Sequence, residues 1–573
     1  MKKILICGAN GFIGKNILER FYNNENFDIR ATYYTSHPDD RYDVEWIKAD
    51  LRNVDDVKKV MVGIDVVLQY AATTTGSKDI VSKPYIHVTD NVVMNSLLMR
   101  EAFEQNIEHF IMPSCTIMYS SSDDIINEND FDENKGVNRT YFGAGNTKVY
   151  LEKMCKFYSS LSNTKYTVLR QSNIYGYYDD YGLDKSHVFG ATIQKVMTNN
   201  NKITVWGTGE EERDFLFVSD LVDLIEDSIE KQKTPFELVN ASLGNSTSIS
   251  DLVKEVVELS GLDLLIEYDS SKPTIKTKLA IDNKKAEKVF GWIPKHSLEE
   301  GITKTLKWYR ENETIKLNED DIKFYEDKGY FAVSNIISQQ DREVFKEYMR
   351  RHANKDFASL MNPDRPDEMI EQEEREMTSD IKSECIDSSR IARNVMKNPN
   401  VVSIMNQLQR GREFVGISSQ YLFKEPGTKY ANQAWSPHQD NYWPSNKNGS
   451  YFTFNWYLDR TDIDNGCVYV YEGSHKAGLL PAPYVMSYRE EADENGITHP
   501  GPKVDVPDEY VDKKINIEFD ENCFVFFHGN LIHGTHANIT KNRPRPWYSC
   551  CYISKGEEYF EGEYSKRIEV ELI

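Results

Sequence analysis

The sequence predicts an α/β doubly wound parallel sheet, followed by an antiparallel β-sandwich or barrel. Three observations carry this. Up to about residue 312, short uniformly apolar runs alternate with stretches of helical spacing, the signature of βαβ units. A glycine-rich turn, GANGFIG, follows the first of these runs. Beyond about residue 410, short alternating segments are separated by Gly, Pro and Asn, the pattern of antiparallel strands. A chain of 573 residues exceeds one hydrophobic core, since domains hold roughly 100 to 250 residues. The polar segment KWYRENETIKLNEDD at 307–321 is the natural linker, giving domains 1–315 and 316–573.

In the first domain, KKILICG and DVVLQYAA read as parallel strands buried on both faces, because such strands show continuous rather than alternating apolarity. FIGKNILERFYNN has helical spacing. HFIMPSC reads as strand, VYLEKMCKFYSSL as helix and YTVLRQSNIYG as strand. Gly8, Gly11 and Gly14 lie between the first strand and the first helix. Glycines there let backbone N–H groups approach a pyrophosphate at the positive end of the helix dipole. The second strand, DIRATYY, ends without the carboxylate that binds an adenosine ribose; Tyr34, Thr35, Ser36 and His37 follow it, with Arg30 and Arg41 nearby. That favours NADP(H) over NAD. Asp50 in KADLRN is placed either at the adenine end of the dinucleotide or as an ordinary helix N-cap.

In the second domain a helical portion runs to about residue 410, and SYFTFNWYLD, GCVYVYEG, CFVFFHG and WYSCCYIS read as strands. The acidic stretch DRPDEMIEQEEREMTSD at 364–380 reads as a solvated helix or loop, with a lid as the lesser alternative. Residues 436–444 are SPHQDNYWP. On a strand, i and i+2 share a face, so His438 and Asp440 can reach one ion while Gln439 points away. A third ligand has candidates in FFHGNLIHGTHANIT, namely His528, His533 and His536. Two histidines and a carboxylate leave three positions of an iron octahedron open, whereas a structural zinc site closes its coordination. Tyr442 and Trp443 read as core aromatics or as a pocket wall.

Net charge of −23, without a Lys/Arg-rich stripe, argues against nucleic acid as a partner. No run approaches the roughly 20 apolar residues of a membrane helix, and the apolar run after Met1 is too short for a signal peptide. Eight cysteines without a CxxC pair suit reduced thiols and a cytoplasmic location.

GANGFIG, AAT at 71–73, SCTIMY, RQSNIYG at 170–176, WGTGEEERDFLFVSD at 206–220 and FGWIP at 290–294 together resemble the extended short-chain dehydrogenase/reductases, with nucleotide-sugar epimerases, dehydratases and GDP-fucose synthases nearest in pattern. The resemblance covers about residues 1–312 and implies a Rossmann domain whose smaller lobe holds a nucleoside-diphosphate sugar, with Arg213 at the diphosphate. It also implies a catalytic Ser/Thr, Tyr and Lys. Lys148 and Glu152 fit that pattern, but the hydroxyl position falls on Cys115, beside Ser114 and Thr116, and the tyrosine position on Ala144. Losing a positioned proton donor costs about 10² to 10⁴ in rate. Tyr141 is the nearest substitute, two helical turns or about 10 Å from Lys148 on a straight helix. Gly143 and Gly145 suggest a loop that brings it closer. A homodimer through this domain is a further expectation.

HQD, FFHGNLIHGTHANIT, YEDKGYFAVSNIIS at 325–338 and NGCVYVYEGSHKAG at 465–478 are similar to the phytanoyl-CoA dioxygenase family of Fe(II)/2-oxoglutarate oxygenases, over about residues 318–573. This resemblance implies a double-stranded β-helix, or jelly roll, and assigns His533 as third ligand. It implies an arginine clamp for 2-oxoglutarate, for which Arg545 fits better than Arg543. Lys424, in YLFKEPG, matches a basic position near the cosubstrate, the alternative being a snorkelling surface lysine. The joint expectation is a bifunctional enzyme acting on a nucleotide-linked sugar. The alternative is an oxygenase whose first domain only binds the nucleotide sugar.

Overall fold

The computed structural model describes residues 1–73, 83–134, 136–137, 139–183, 186–272, 274, 277–352, 359–361, 390–427, 431, 434–485, 501–562 and 567–572. The acidic stretch 364–380 lies outside them. The chain forms two compact units: Met1–Val196, Thr204–Ser260 and Ile266–Tyr309 make one, and Met197–Ile203, Gly261–Leu265 and Arg310–Ile573 the other.

The first unit is built on a seven-stranded sheet. Its strands are β1 (Lys2–Cys7), β2 (Phe27–Tyr33), β3 (Glu45–Lys48), β4 (Val66–Gln69), β5 (His109–Cys115), β6 (Lys165–Gln171) and β7 (Phe236–Ala241). The order is β7-β6-β5-β4-β1-β2-β3, and every neighbouring pair is parallel. Helices α1 (Phe12–Tyr22), α2 (Val54–Met61), α3 (Thr89–Glu104), α4 (Phe142–Ser159), α5 (Val188–Thr198) and α6 (Val218–Lys231) follow the strands. Alternation along β1 shows why both faces must be covered. Ile4 and Ile6 join Ile17, Leu18, Phe21, Leu221 and Ile225 of α1 and α6. Leu5 and Cys7 join Val57, Leu98, Met99, Leu151 and Cys155 of α2, α3 and α4. A small lobe adds short pairs, Asn173–Tyr175 with Phe215–Phe217 and Glu212–Arg213 with Thr247–Ser248.

In the second unit α7 (Glu319–Lys328), α8 (Gln339–His352) and α9 (Pro399–Leu408) precede the main strands. The expected helical portion is therefore interrupted: β8 (Tyr330–Ser334) pairs antiparallel with β14 (Cys523–His528) at the sheet edge. With β9 (Phe414–Lys424), β11 (Phe452–Tyr457) and β16 (Arg545–Ser554), they form a larger sheet ordered β8-β14-β11-β16-β9. A smaller sheet runs β10-β15-β12-β13, from Trp435–His438, His533–Thr535, Val468–Tyr471 and Lys514–Ile517. Strand alternation again sorts the side chains. Tyr421, Phe454, Trp456, Phe524 and Tyr548 pack with Phe345, Met349, Ile404 and Met405 of the helices. Leu422, Tyr457, Val525, Phe527 and Trp547 face Val468 and Val470 of the smaller sheet. Two antiparallel sheets enclosing an interior are the expected jelly-roll architecture. Among the described residues, no helix is long and apolar enough to cross a membrane.

Candidate functional sites

His438 ends β10 and His533 opens β15, and the two are register partners. Asp440 begins the short turn Asp440–Tyr442 that follows β10. The His438 and His533 Nε2 atoms lie 3.7 and 3.6 Å from Asp440 Oδ1, and one ligand atom from each residue fits within a 4.8 Å group. The imidazoles are oriented from behind: His438 Nδ1 lies 2.9 Å from the Ser436 carbonyl and His533 Nδ1 3.0 Å from the Leu531 carbonyl. A carbonyl only accepts, so Nδ1 carries the proton and Nε2 presents its lone pair to the shared point. Thr453 Oγ1 donates to Asp440 Oδ2 at 3.3 Å. Burial, reinforced by His533 and opposed by Asp440, pushes the His438 pKa down to about 4. The ring is thus neutral at neutral pH, as a ligand must be. The donor set of two imidazoles and one carboxylate suits ferrous iron with open positions.

Lys424 ends β9 directly opposite Arg545, which opens β16. Both side chains are fully buried. Lys424 Nζ donates to Thr535 Oγ1 at 2.9 Å and to the His536 carbonyl. The Arg545 guanidinium lies over Trp547, 4.0 Å from the ring centre. Two adjacent buried cations can together seat an anion, and the planar guanidinium can hold both oxygens of a carboxylate. Lys424 is therefore not a snorkelling surface side chain. Arg543 points elsewhere, forming an ion pair with Asp462. His528 lies beside His475, with ring centres 5.0 Å apart, and His536 Nε2 is 2.8 Å from Asn516 Oδ1. Neither joins the His438 group. Trp443 is 44% exposed, which removes the core reading for it.

In the first unit Gly8 has φ +73°, and a Cβ on Gly14 would fall 2.1 Å from the Gly8 carbonyl oxygen. Only glycine allows that turn to sit so close to α1. Asn10 Nδ2 ties the turn to the chain after β2, donating to Ser36 Oγ at 3.0 Å and the His37 carbonyl at 2.6 Å. Arg30 is turned away, buried and donating to the Val60 and Val62 carbonyls. Arg41 is held by Asp39. Asp50 is paired with Arg52, and Asn53 caps α2, so the N-cap reading of Asp50 fails.

Lys148 on α4 donates from Nζ to the Pro113 carbonyl at 2.9 Å. Burial lowers its pKa, opposed by Cys115 and Glu152. Helix α4 runs unbroken from Phe142, which corrects the expectation of a glycine loop there. At Gly145 a Cβ would come within 2.4 Å of Val137 Cγ1, so the missing side chain serves close packing. Tyr141 lies just before the helix in the turn Arg139–Tyr141. Burial raises its pKa, Arg213 lowers it and Cys115 raises it further. Tyr141 thus lies within electrostatic reach of Arg213 and Cys115, and Lys148 within reach of Cys115. Thr116, just past β5, is buried, with its N–H donated to the Gln171 carbonyl at 3.2 Å. Below Lys148, Glu152 accepts from Ser114 Oγ at 2.6 Å and from Arg170 at 3.0 and 2.8 Å.

Residues 4–241 match the model of the NAD dependent epimerase/dehydratase family, and residues 325–546 match that of phytanoyl-CoA dioxygenase (PhyH). The chain joins an epimerase/dehydratase domain to a PhyH domain. GDP-L-colitose synthase of Yersinia pseudotuberculosis is 26% identical over 319 residues, covering 54% of this chain and 97% of that protein. The GDP-L-fucose synthase of Azorhizobium caulinodans is 26% identical over 317 residues, covering 54% and 96%. Among solved structures, UDP-glucose 4-epimerase of Thermotoga maritima with UDP-glucose aligns with TM-score 0.49 and 22% identity, over 54% of this chain and 99% of that one.

The epimerase/dehydratase domain also brings in a residue the sequence did not single out. His187 is pushed below the ordinary histidine range by burial first, then by Arg213 and His87, with Asp180 opposing. It precedes α5, far in sequence from both Tyr141 and Arg213, and no spacing rule links the three stretches.

Proposed function

We propose that the chain oxidises a nucleotide-linked sugar or a sugar derived from one. The PhyH domain is the Fe(II)- and 2-oxoglutarate-dependent hydroxylase, and the epimerase/dehydratase domain holds a nicotinamide dinucleotide and the nucleotide sugar. The observation that carries the reading is the convergence of His438, Asp440 and His533 in the unit that also buries Lys424 and Arg545. The three side chains would hold iron, and Arg545, with Lys424 and Thr535 beside it, would seat the remote carboxylate of 2-oxoglutarate. Bound iron supplies dioxygen activation coupled to decarboxylation of the keto acid. The chain's own contribution is orientation of the imidazoles through Ser436 and Leu531 and an apolar wall at Phe527, 5.3 Å from the His533 ring centre. The nucleotide sugar rests on the names of the relatives and on Arg213. Absence of a carboxylate from Tyr34 to His37 supports NADP(H), which titration against NAD(H) tests.

A second reading keeps the epimerase/dehydratase domain as a binding module without turnover. Ala144 on α4 favours it, as does Lys148 being engaged by the Pro113 carbonyl. The buried Tyr141, within electrostatic reach of Cys115 and Arg213, favours an active domain. Incubating the protein with Fe(II), 2-oxoglutarate and GDP-, UDP- and dTDP-sugars, with and without NADPH, separates the readings. Sugar-dependent succinate, lost in His438→Ala, is expected. NADPH oxidation abolished by Lys148→Ala would sink the binding-module reading, and sugar-independent succinate equal in His438→Ala would sink the hydroxylase. Seven free cysteines among the described residues support the cytoplasm, and light scattering tests the homodimer.

A further inference from the structure

The interior face of the larger PhyH sheet carries a polar floor beside the iron ligands. Alternation fixes which side chains share this face: those in step with Leu422, Tyr457 and Trp547, which pack toward the smaller sheet. In that register Asn455 on β11 is opposite Ser549 on β16, and Ser549 is opposite Gln420 on β9. One step further along, Thr453, Cys551 and Ser418 line up in the same way. The second row reaches the metal group directly, since Thr453 Oγ1 donates to Asp440 Oδ2. Thr453 is also the register partner of Phe527, whose ring stacks on His533.

The first row lies between the metal-side row and the anion seat, one apolar row short of the seat. Lys424 and Arg545 lie at the far ends of the same strands, and the apolar row Leu422, Trp547 and Tyr457 intervenes. Gln420, Ser549, Ser418 and Cys551 are only partly buried. Among the described residues, no hydrogen bond engages the side chains of Gln420, Asn455 or Ser549. Gln420 and Asn455 each offer two donors and an acceptor, and Ser549 offers a hydroxyl. Asn455 is buried, and buried polar groups in native proteins have partners, from protein, water or ligand. An aliphatic chain beside the metal would leave these groups unmatched, whereas the hydroxyls of a pyranose both donate and accept.

We propose that the row Gln420–Ser549–Asn455 is the specificity-determining floor of the hydroxylase and that it selects a polyhydroxylated, sugar-like group over an acyl chain. This rests on the hydroxylase reading. The full-length protein, with Fe(II), 2-oxoglutarate and ascorbate, is supplied with GDP-mannose, UDP-glucose and dTDP-glucose in parallel with palmitoyl-CoA, and succinate release is followed. Gln420→Leu and Ser549→Val are compared with the native chain, two separate variants guarding against a folding defect in either. The expected result is succinate release with at least one sugar and not with palmitoyl-CoA, and a drop of tenfold or more in kcat/KM for that sugar in each variant. Affinity for 2-oxoglutarate in the presence of iron stays within twofold. The proposal is overturned if palmitoyl-CoA serves as well as any sugar, if no sugar raises succinate above the substrate-free rate, or if both variants keep kcat/KM within twofold. A weakened 2-oxoglutarate affinity with unchanged sugar KM also overturns it, by giving the row to the cosubstrate. Failure of the hydroxylase reading itself looks different: the native chain would then bind no iron-dependent 2-oxoglutarate.

Discussion

Arg543 and Arg545 stand two positions apart on one chain segment, and their surroundings divide their roles. The first is partly exposed and locked to Asp462, while the second is fully buried opposite Lys424. A charge-assisted hydrogen bond contributes about 1.5–3 kcal/mol, so Arg545→Leu is expected to weaken 2-oxoglutarate binding by about tenfold to a hundredfold. Arg543→Leu is expected to leave it within twofold, as isothermal titration of the iron-loaded protein would read. An equal loss in both variants would remove Arg545 from the cosubstrate seat. The two-residue spacing of His438 and Asp440 pointed to a shared ion, although the strand ends at His438 and Asp440 begins the turn after it. The burial of Lys424 was not legible in the sequence, since a lysine in a strand reads the same whether its amine reaches water or, as here, Thr535.

At the scale of elements, α4 shows what periodicity conveys and what it omits. Its spacing placed Ala144 and Lys148 one turn apart, and the helix has that geometry. The two glycines suggested a break; the chain instead uses Gly145 to admit Val137, a contact across sequence that no local rule contains. The same helix anchors the sheet through Glu152, whose carboxylate is paired with Arg170 at the centre of a buried network that includes Tyr119. Breaking a buried pair leaves an uncompensated charge and costs about 3–5 kcal/mol. Glu152→Ala is therefore expected to lower the denaturant midpoint of the epimerase/dehydratase domain by that equivalent; a change below about 1 kcal/mol would place the pair in contact with water. In the PhyH domain the strands themselves were recognisable from alternation. Their pairing was not, and the polar row on the interior face exists only through register: Gln420, Asn455 and Ser549 come from three separate strands.

For the whole molecule, the two fold classes were legible because each class writes a different period into the chain. The assignment of Met197–Ile203 and Gly261–Leu265 to the second unit was not, since nothing in those short stretches departs from their neighbours. The central claim concerns the site in the second unit: that His438, Asp440 and His533 hold a single ferrous ion to which 2-oxoglutarate then binds. Anaerobic titration of the full chain with Fe(II) and 2-oxoglutarate, following iron content and the visible charge-transfer band of the keto acid, tests it most directly. One iron per chain is expected, with the band present in the native protein and in Lys148→Ala and absent in Asp440→Ala and His533→Ala. Stoichiometric iron and an undiminished band in those last two variants would contradict the account.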